Sequence, residues 1–502
     1  APPRRRGLQK AWRRPARFDR NLVVIGAGAT GLVSAYIAAA VKAKVTLVEK
    51  RRMGGDCLNT GCVPSKALIA SARMAHRMRM AVQLGLSAAA PRIDFPAVMA
   101  RVSRVIAEID PNDSPERYRS LGVDVVEGEA RIVDPWTVAI VPNDPAAPRR
   151  QLTTRAIVIA AGAEPRVPDI PGLDRTGYLT TETLWARLAR LPAVPERFAI
   201  LGGGPIGCEL AQAFARLGSR VTLIEAADRL LAREDAEAAM LVRGALTRDG
   251  VDVLTGAVVR QAGRDGGSRW IEITAGATPR RIVFDELLIA VGRDARLSGY
   301  GLEELGIPAG KAVDTNEYLE TIYPNIFAAG DAAGPFQLTH AGAHQAWFAT
   351  VNALFGTFWR FRADYRVIPS AVFTDPEVAR VGLTEAEAKA QGTGFEVTRY
   401  SLAGLDRAVA DGATEGFVKV LTAPGRDRIL GASIVGESAG ELIAEFALAM
   451  RHRIGLNGIL STVHAYPTRA EANRFAAGEW RKAHVNPRLL GILERFHRWR
   501  RG

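Results

Sequence analysis

The sequence predicts an α/β fold that contains two copies of one parallel-sheet unit. The first observation is a succession of apolar run, glycine-rich turn, helical stretch and second apolar run ending in an acid, which occurs twice. The second is the length of 502 residues, which suggests about three domains at roughly 150 residues each. The third is the composition, with 48% hydrophobic and 24% charged residues, which is typical of a globular protein.

The first copy begins with the apolar, β-branched run 22–25, which is typical of a buried parallel strand. In the turn that follows, Gly26 permits the tight bend, Gly28 lets the backbone approach a pyrophosphate, and Gly31 allows close helix packing. The helix N-terminus favours the negative charge of that group. A second predicted strand ends at Glu49, whose carboxylate can accept the hydroxyls of an adenosine ribose. This pattern predicts a Rossmann-like dinucleotide-binding domain.

The second copy repeats each of these parts. The apolar run 198–201 precedes a turn with Gly202, Gly204 and Gly207, and the next apolar run ends at Glu225. The first glycine and the acid are 23 residues apart in both copies. Because two complete units in the same register are hard to obtain by chance, we expect the chain to hold two dinucleotides.

The acid of the second copy bears on which nicotinamide coenzyme binds. The carboxylate of Glu225 can bond a free ribose 2′-hydroxyl and would repel a 2′-phosphate, which favours NADH over NADPH. Arg229 lies nearby and weakens this preference.

The net charge of +13 first suggests a nucleic-acid or membrane partner. Residues 1–20 carry eight basic side chains and one acid, residues 481–502 carry seven and one, and residues 21–480 are neutral overall. The neutral charge of residues 21–480 therefore argues against nucleic-acid binding there, and only the basic tails could make a peripheral membrane contact. No apolar run is long enough to cross a membrane. Three cysteines are too few for a disulfide-stapled secreted scaffold, which indicates a reducing, cytoplasmic location.

A cysteine pair, Cys57 and Cys62, lies shortly after the first copy in the segment GGDCLNTGCVPSK, residues 54–66. Cysteines five positions apart meet only if the chain bends between them, and Asn59 and Gly61 tolerate such a bend. Two unrelated core cysteines, or part of a metal site, are the alternatives. The sequence has no second pair to complete a four-cysteine metal site, and the pair is close enough to the first copy to face its ligand.

With this segment the sequence resembles the FAD-dependent pyridine nucleotide-disulfide oxidoreductases of class I, which include dihydrolipoyl dehydrogenase, glutathione reductase and mercuric reductase. The likeness extends over about 21–480 and includes IAAGA at 159–163, LIAVGR at 288–293, PNIFAAGD at 324–331 and VFTDPE at 372–377. It implies one non-covalent FAD on the first copy, NADH or NADPH on the second, and a C-terminal α+β domain that forms a homodimer and completes each active site.

The resemblance also sets the expected domain boundaries. These are a basic tail at 1–20, the first part of the FAD-binding domain at 21–165, the NAD(P)-binding domain at 166–295, the second FAD part at 296–365, the dimerisation domain at 366–480, and a basic amphipathic tail at 481–502.

The resemblance further implies that FAD passes its electrons to a redox-active disulfide between Cys57 and Cys62, and it implies the roles of the site residues. Cys62 resembles the cysteine that contacts the flavin as a thiolate, and Cys57 resembles the interchange thiol that meets the acceptor. Lys66 matches the flavin-side lysine and Glu209 its ion-pair partner, although a solvated helix face is the alternative for both. Asp331 matches the carboxylate that bonds the FAD ribityl chain. Further expected ligand contacts are Gly55, Gly162 and Gly330 for FAD and Gly292 for NAD(P). No structural metal is expected, and the two thiols could hold a metal substrate transiently.

One motif departs from the family. Its disulfide reductases carry His-Pro-Thr followed by an acid that orients the His, whereas this chain has Tyr466 at the His position and keeps Glu471 as the acid. A phenol with a pKa of about 10 is a poor base at pH 7, unlike an imidazole with a pKa of about 6.5. Oxidation of a dithiol should therefore be slow. If the segment is extended, His464 and Tyr466 point to the same side, and His464 could act instead.

An acceptor that needs no leaving-group proton would tolerate Tyr466. Soft metal ions fit, because two thiolates ligate them and pass electrons directly, and this favours a mercuric-reductase-like enzyme. The sequence lacks the C-terminal cysteine pair of mercuric reductases. The electron acceptor could therefore also be a small disulfide, as for dihydrolipoyl dehydrogenase, another metal or a quinone. A membrane-surface redox-sensing module is an alternative of another class, suggested by the amphipathic pattern of 481–502. Its competitor is an ordinary terminal helix packed on the dimer.

Three further residues are interpreted as structural. Cys208 follows the second glycine turn and is expected to be a small packed residue, not a third redox thiol. His340 and His344 lie four apart on a predicted helix, a spacing that can bind a metal. Because no acid stands at a matching step, we expect both to be hydrogen-bonded within a helix near the flavin.

Overall fold

The first part of the chain forms a parallel sheet with an antiparallel extension. The computed structural model describes residues 12–276 and 278–502, so that 1–11 of the predicted basic tail lie outside the described residues. β1 lies between β2 and β5, β3 pairs with β2, and β4 joins β3 to β5. The elements are β1 Arg20–Ile25, α1 Ala29–Ala40, β2 Val45–Glu49, α2 Gly55–Asn59, α3 Cys62–Arg79, α4 Phe95–Ile109, α5 Pro115–Ser120, β3 Asp124–Asp134, β4 Thr137–Pro142, β5 Arg150–Ile159 and β6 Ala163–Pro165.

The middle of the chain forms a second parallel sheet, in the order β13-β7-β8-β9, beside the antiparallel sheet β10-β11-β12. The elements are α6 Leu173–Thr176, α7 Thr181–Leu188, β7 Arg197–Leu201, α8 Pro205–Leu217, β8 Arg220–Ile224, α9 Ala236–Arg248, β9 Asp252–Leu254, β10 Ala257–Asp265, β11 Ser268–Ala275, β12 Thr278–Phe284, β13 Glu286–Ile289 and β14 Arg293–Ala295. β14 pairs with β6 and so joins the middle of the chain to the first part.

The chain then returns to the first sheet. β15 (Ile326–Ala328) pairs in parallel with β5, and α10 (Thr339–Phe355) packs against α1. The four strands predicted from apolar runs are confirmed as β1, β2, β7 and β8. Their apolar residues are buried because helices cover one face of each parallel sheet, and antiparallel strands and loops pack on the other face.

The C-terminal part is a five-stranded antiparallel sheet in the order β16-β17-β20-β19-β18. Its elements are β16 Ser370–Val372, β17 Glu377–Gly382, α11 Glu385–Ala390, β18 Glu396–Ser401, α12 Asp406–Ala410, β19 Phe417–Thr422, β20 Ile429–Gly436, α13 Ala439–Arg451, α14 Leu456–Ser461, α15 Glu471–Ala483 and α16 Pro487–Arg501. α13 and α15 pack on the sheet around a core that includes Phe446 and Trp480. The α/β fold is thus as predicted. None of the described helices is long and apolar enough to span a bilayer.

Candidate active site

The two glycine turns have the same backbone geometry. Gly26 has φ +97°, and a Cβ there would lie 2.4 Å from the carbonyl oxygen of Ala160. Gly202 has φ +113°, and its Cβ would lie 2.4 Å from the carbonyl oxygen of Ala290. Both positions therefore require glycine, because an added side chain would be strained and would collide with the neighbouring strand's backbone.

The helix after each glycine turn has a geometry at its N-terminus that suits pyrophosphate binding. A Cβ on Gly31 or Gly207 would lie 1.8 Å from a carbonyl of its own turn, so each helix packs directly on the turn. Gly28 and Gly204 are the N-caps of α1 and α8, and neither helix has a side chain bonded to its first N–H groups. A Cβ on Gly204 would meet nothing within 4 Å. The helix N-terminal donors at both turns, and the open space at Gly204, fit bound dinucleotides.

The acids predicted at the ribose positions also occupy equivalent places. The carboxylate of Glu49 accepts from the backbone N–H of Ala27 at 2.6 Å and of Arg51 at 2.7 Å. The carboxylate of Glu225 accepts from the backbone N–H of Gly203 at 2.5 Å and from that of Ala227 at 2.8 Å. Each acid therefore lies at the edge of its glycine turn, tied to the backbone there.

The cysteine segment lies directly against the first glycine turn. Gly54 and Gly55 have φ +82° and +57°, and a Cβ on Gly55 would lie only 2.6 Å from the Cα of Gly28. This close approach of two glycines puts the start of α2 beside the N-terminus of α1. The prediction that the cysteine pair lies close to the first unit is therefore confirmed.

The chain bends between the two cysteines, as predicted. α2 ends at Asn59, whose side-chain amide donates to the carbonyls of Met53 at 2.9 Å and Gly55 at 2.8 Å. The indole N–H of Trp185 donates to the carbonyl of Thr60 at 2.7 Å. Trp185 belongs to α7, over a hundred positions away, and no local pattern marked it in the sequence.

The two thiols are free and interact with each other. The hydrogen bond between them raises the pKa of Cys57, which burial raises further, and it lowers the pKa of Cys62. Burial opposes the lowering at Cys62, while the Lys66 ammonium and the Thr339 hydroxyl support it. The Sγ of Cys62 lies 3.8 Å from Oγ1 of Thr339, the first residue of α10. Thr339 immediately precedes His340, and no local sequence pattern marks it as a site residue.

Lys66 and Glu209 form an ion pair where three parts of the chain meet. The Nζ of Lys66 lies 2.7 Å from Oε2 of Glu209, whose side chain is 5% exposed. The other oxygen of Glu209 accepts from the backbone N–H of Phe373 at 2.9 Å, and the Phe373 ring lies 4.5 Å from the ammonium. The two residues therefore do not lie on a solvated helix face. Their ion pair positions α3 against α8 and the loop after β16.

Asp331 lies in a second charged group near the cysteine segment. Nε of Arg293 is 3.8 Å from its carboxylate, and the same guanidinium bonds Asp56, the residue before Cys57. Burial raises the pKa of Asp331, and Arg293 opposes this effect. Gly330 has φ +73°, and a Cβ there would lie 2.3 Å from Oγ1 of Thr30 on α1. Asp331 is thereby held close to the first glycine turn.

Gly162 and Gly292 follow β5 and β13, the strands that pair with β1 and β7. Gly162 has φ +72° and Gly292 has φ +120°. A Cβ on Gly292 would meet nothing within 4 Å, and one on Gly162 only a guanidinium nitrogen of Arg296 at 3.9 Å. Each glycine therefore leaves open space at the carboxyl end of its parallel sheet.

Tyr466 is held by an acid other than the predicted one. Its hydroxyl donates to Oδ2 of Asp406 at 3.1 Å, and this bond raises the pKa of the phenol. Glu471 instead accepts from the backbone N–H of Thr468 at 3.2 Å and is buried. The Tyr466 side chain is 72% exposed. It is therefore a surface phenol that stays neutral at pH 7.

His464 faces the interior of its own domain. Its Nε2 lies 2.9 Å from Oε1 of Glu445 on α13, and its Nδ1 lies 3.0 Å from the carbonyl of Thr462. The other oxygen of Glu445 accepts from Asn473 at 2.9 Å. The His464 side chain is only 7% exposed, so it does not point to the same side as Tyr466.

The prediction that Cys208 is packed and that His340 and His344 are hydrogen-bonded is confirmed. Cys208 is buried, and its thiol donates to the carbonyl of Gly203 at 3.3 Å. Nε2 of His340 lies 2.7 Å from the carbonyl of Pro369, and Nε2 of His344 lies 2.9 Å from that of Asp364. Both histidines of α10 thus have backbone partners.

Two family models match the chain. The model described as pyridine nucleotide-disulphide oxidoreductase matches residues 20–346, and the model of the dimerisation domain of the same family matches residues 368–477.

Similar proteins carry two kinds of name. The chain is 35% identical to the dihydrolipoyl dehydrogenase of Chlamydia muridarum over 90% of its length and 94% of that protein. It is 34% identical to the mercuric reductase of Streptomyces lividans over 91% of its length and 95% of that protein.

Two solved structures have the same fold. LpdA from Mycobacterium tuberculosis superposes with a TM-score of 0.83 at 27% identity, over 92% of this chain and 99% of that one. The Cu(II) complex of the HOCl-induced flavoprotein disulfide reductase RclA from Escherichia coli superposes with a TM-score of 0.79 at 27% identity, over 91% and 99%.

Proposed function

We propose that this chain, which belongs to the pyridine nucleotide-disulphide oxidoreductase family, delivers its electrons to a soft metal ion. The family match makes it a flavin-dependent enzyme that uses FAD and NAD(P)H. The observation that carries the choice of acceptor is the exposed phenol of Tyr466, bonded to Asp406, at the position of the family's His.

The residues that would hold the two cofactors are those of the two glycine turns. The N-terminus of α1, with Glu49 and Asp331, would hold FAD, and the N-terminus of α8, with Glu225, would hold NAD(P)H. When bound, the flavin supplies two-electron transfer between the nicotinamide and the cysteine pair. The arrangement of the protein's own groups then decides which acceptor is reduced.

The two cysteines would have different roles in electron transfer. Cys62, whose pKa is lowered by the bond from Cys57 and by the Lys66 ammonium, would be the thiolate on the flavin side. Cys57, whose pKa is raised, would meet the acceptor. Lys66 is kept in place for this by Glu209, which Phe373 also bonds. A soft metal ion bound by both sulfurs would lower the pKa of Cys57 itself, because metals bind the thiolate form.

The proton balance separates the two classes of acceptor. Reduction of a disulfide by NADH consumes one proton and yields NAD⁺ and two thiols, so a group at the site must exchange protons with sulfur. Reduction of a divalent soft metal ion to the metal by NADH yields NAD⁺ and one proton, and no proton reaches the acceptor. An imidazole at residue 466 would matter for the first reaction and not for the second.

The C-terminal segment lacks a suitable group for the first reaction. In a homodimer formed through the domain matched at residues 368–477, the exposed Tyr466 would face the partner's cysteine pair. Asp406 raises its pKa, so the phenol stays protonated at pH 7 and cannot accept a proton there. His464 is turned toward Glu445 within its own domain. Soft metals also fit the chain's thiols, since thiolates prefer such ions.

NADH is the coenzyme that we favour. Glu225 lies at the edge of the second turn, where its charge would repel a 2′-phosphate. Arg229 donates to the carbonyls of Glu234 at 3.0 Å and Ala232 at 2.6 Å. Its guanidinium is therefore already engaged with the backbone, which reduces its availability for a phosphate.

A small disulfide is the second candidate acceptor. The dihydrolipoyl dehydrogenase of Chlamydia muridarum is 35% identical to this chain, and His464 with Glu445 is an imidazole–carboxylate pair two residues from Tyr466. If the segment rearranged in the dimer, this pair could supply the missing base.

The test is anaerobic reduction of the purified yellow enzyme by NADH, followed by addition of Hg(II), Cu(II), lipoamide or glutathione disulfide. We expect metal turnover to exceed disulfide turnover by roughly a hundredfold, the size of a typical acid–base contribution. Cys57→Ser should abolish turnover of all four acceptors, whereas Cys208→Ser, at a buried thiol, should change none. Disulfide turnover equal to metal turnover, or turnover that survives Cys57→Ser, would overturn the proposal.

A further inference from the structure

The helix α16 has an apolar face that no other part of the described chain covers. It runs from Pro487 to Arg501, and none of its residues is buried. Six large apolar side chains are between 40% and 75% exposed: Leu489, Leu490, Ile492, Leu493, Phe496 and Trp499. Monomeric proteins rarely expose an apolar patch of this kind without a partner for it.

The start of this helix is fixed to the C-terminal domain. His484 stacks on Trp480 at 4.3 Å between ring centres, and its Nε2 lies 2.8 Å from Glu396. The side chain of Asn486 then caps α16 by accepting from the N–H of Arg488 at 2.9 Å. The helix therefore leaves the domain in a defined direction, and its apolar face is available beyond the packed core.

The apolar residues lie on one broad face, and four of the five arginines lie outside it. With 3.6 residues per turn, Leu489, Leu493 and Phe496 fall along one side, and Arg495 and Arg498 fall away from it. Arg500 is the exception, with its guanidinium 5.8 Å from the centre of the Phe496 ring. The helix has five arginines and one acid. Its ion pair and ring contacts, Arg498 with Glu494 at 3.0 Å among them, all lie within the helix itself.

The positive charge of α16 indicates which kind of partner covers its apolar face. A second copy of α16 would bring the same excess of arginine to the contact, and like charges would repel. An anionic lipid surface offers an apolar layer for the leucines and aromatic rings and phosphate groups for the arginines, whose long stems can reach past the apolar face. A helix of 15 residues is about 22 Å long, which is shorter than the roughly 30 Å hydrocarbon core, so it would lie on the bilayer.

We propose that α16 is a membrane-surface anchor that docks the enzyme on anionic phospholipid bilayers. A 15-residue helix is marginally stable alone in water, and burial of its apolar face in the lipid interface stabilises it. The anchor is independent of the identity of the electron acceptor, and the enzyme bound to the bilayer keeps its cysteine pair and glycine turns unchanged.

Co-sedimentation of the FAD-loaded chain of 502 residues with vesicles tests the anchor. The vesicles are made of phosphatidylcholine alone or with phosphatidylglycerol. We expect binding to the anionic vesicles, weakening as salt is raised, and little binding to the neutral ones. Equal binding to both kinds of vesicle, or binding to neither, would overturn the proposal.

Matched variants then locate the contact. Leu493→Ser with Phe496→Ser should lower binding by at least about tenfold, and Arg495→Glu with Arg498→Glu should do the same. The control is Met240→Ser with Val82→Ser, at apolar side chains that are 66% and 62% exposed elsewhere. It should bind like the unmodified enzyme.

Sedimentation equilibrium without lipid gives the competing result. We expect each variant to keep the mass and the flavin absorbance of the unmodified enzyme. A lower mass for the Leu493→Ser, Phe496→Ser protein would show that a second copy covers α16, and an equal loss of vesicle binding in the control would show that the contact is elsewhere. Either result would overturn the proposal.

Discussion

The two sides of the candidate site differ in how far they keep the family's pattern. On the cysteine side, Cys57, Cys62, Lys66 and Glu209 are all present, and the ion pair is made at 2.7 Å. On the C-terminal side, the base is replaced by Tyr466, whose hydroxyl bonds Asp406 in place of Glu471. The residues that match the family's electron-transfer groups are therefore retained, and the residue at the position of the family's proton-transfer group is changed.

The two sides also differ in how they are built. The cysteine side depends on close backbone contacts, such as Gly55 against Gly28, and on a buried carboxylate shared by three parts of the chain. Most substitutions there would collide or leave a charge unpaired. Tyr466 is largely exposed, so its replacement costs little stability. A change of acceptor is thus easiest to make on the C-terminal side.

Loss of the Glu209 charge should weaken the cysteine side most. In Glu209→Gln the amide can still accept from Phe373, but the Lys66 ammonium loses its counter-ion in a partly buried place. We expect the free energy of unfolding to fall by about 2 kcal/mol, with at least a tenfold slower reduction of the enzyme by NADH, roughly the effect of a misplaced charged group.

The control for this change is an exposed ion pair. Lys50 and Glu129 lie 2.7 Å apart with side chains 65% and 59% exposed. Glu129→Gln should cost less than about 1 kcal/mol. Denaturant unfolding of both variants measures the difference, and similar small losses would mean that the Lys66–Glu209 pair does not hold the three parts together.

Removal of the Lys66 charge should change the pH dependence of the thiolate. The pKa of Cys62 is lowered, so in the reduced enzyme its thiolate should persist at pH values where an ordinary thiol is protonated. The rate of alkylation by iodoacetamide should fall only as pH drops through this lowered pKa. In Lys66→Met the fall should occur at higher pH, by about one pH unit. An unmodified enzyme that titrates like a free thiol would contradict this picture.

A smaller change is expected in the second glycine turn. Glu225→Ala removes the charge that opposes a 2′-phosphate, and Arg229 is left nearby. We expect the ratio of kcat/KM for NADH to that for NADPH to fall by about tenfold. The corresponding change in the first turn, Glu49→Ala, should weaken FAD binding and leave this ratio unaltered. A constant ratio in Glu225→Ala would mean that another group selects the coenzyme.

The parts of the site that could be predicted from the sequence are those set by local geometry. Gly26 and Gly202 have positive φ and face a strand backbone, so glycine is required at a fixed distance from the acid. The bend between the cysteines was predicted from Asn59 and Gly61, and the Asn59 side chain bonds the carbonyls of Met53 and Gly55 there. These features are marked by residue types that stand close together in the sequence, and the resemblance supplied the pairing of Lys66 with Glu209.

The parts that could not be predicted are contacts between distant segments. Trp185, Phe373 and Asp406 reach the site from separate elements, and no local pattern distinguishes them. The alternation expected for His464 and Tyr466 does not occur, because the segment forms no strand and the imidazole bonds Glu445. Tertiary contacts there outweigh the local two-residue period.

We propose that the residue at position 466 determines whether the acceptor can require a proton. Steady-state turnover of the Tyr466→His enzyme, measured with lipoamide or glutathione disulfide and with Hg(II), tests this role. We expect disulfide turnover to rise by roughly a hundredfold, while Hg(II) turnover stays within about twofold of the unmodified enzyme. Unaltered disulfide turnover would contradict this role and would point to His464 as the working base, and an equal change with both acceptors would also contradict it.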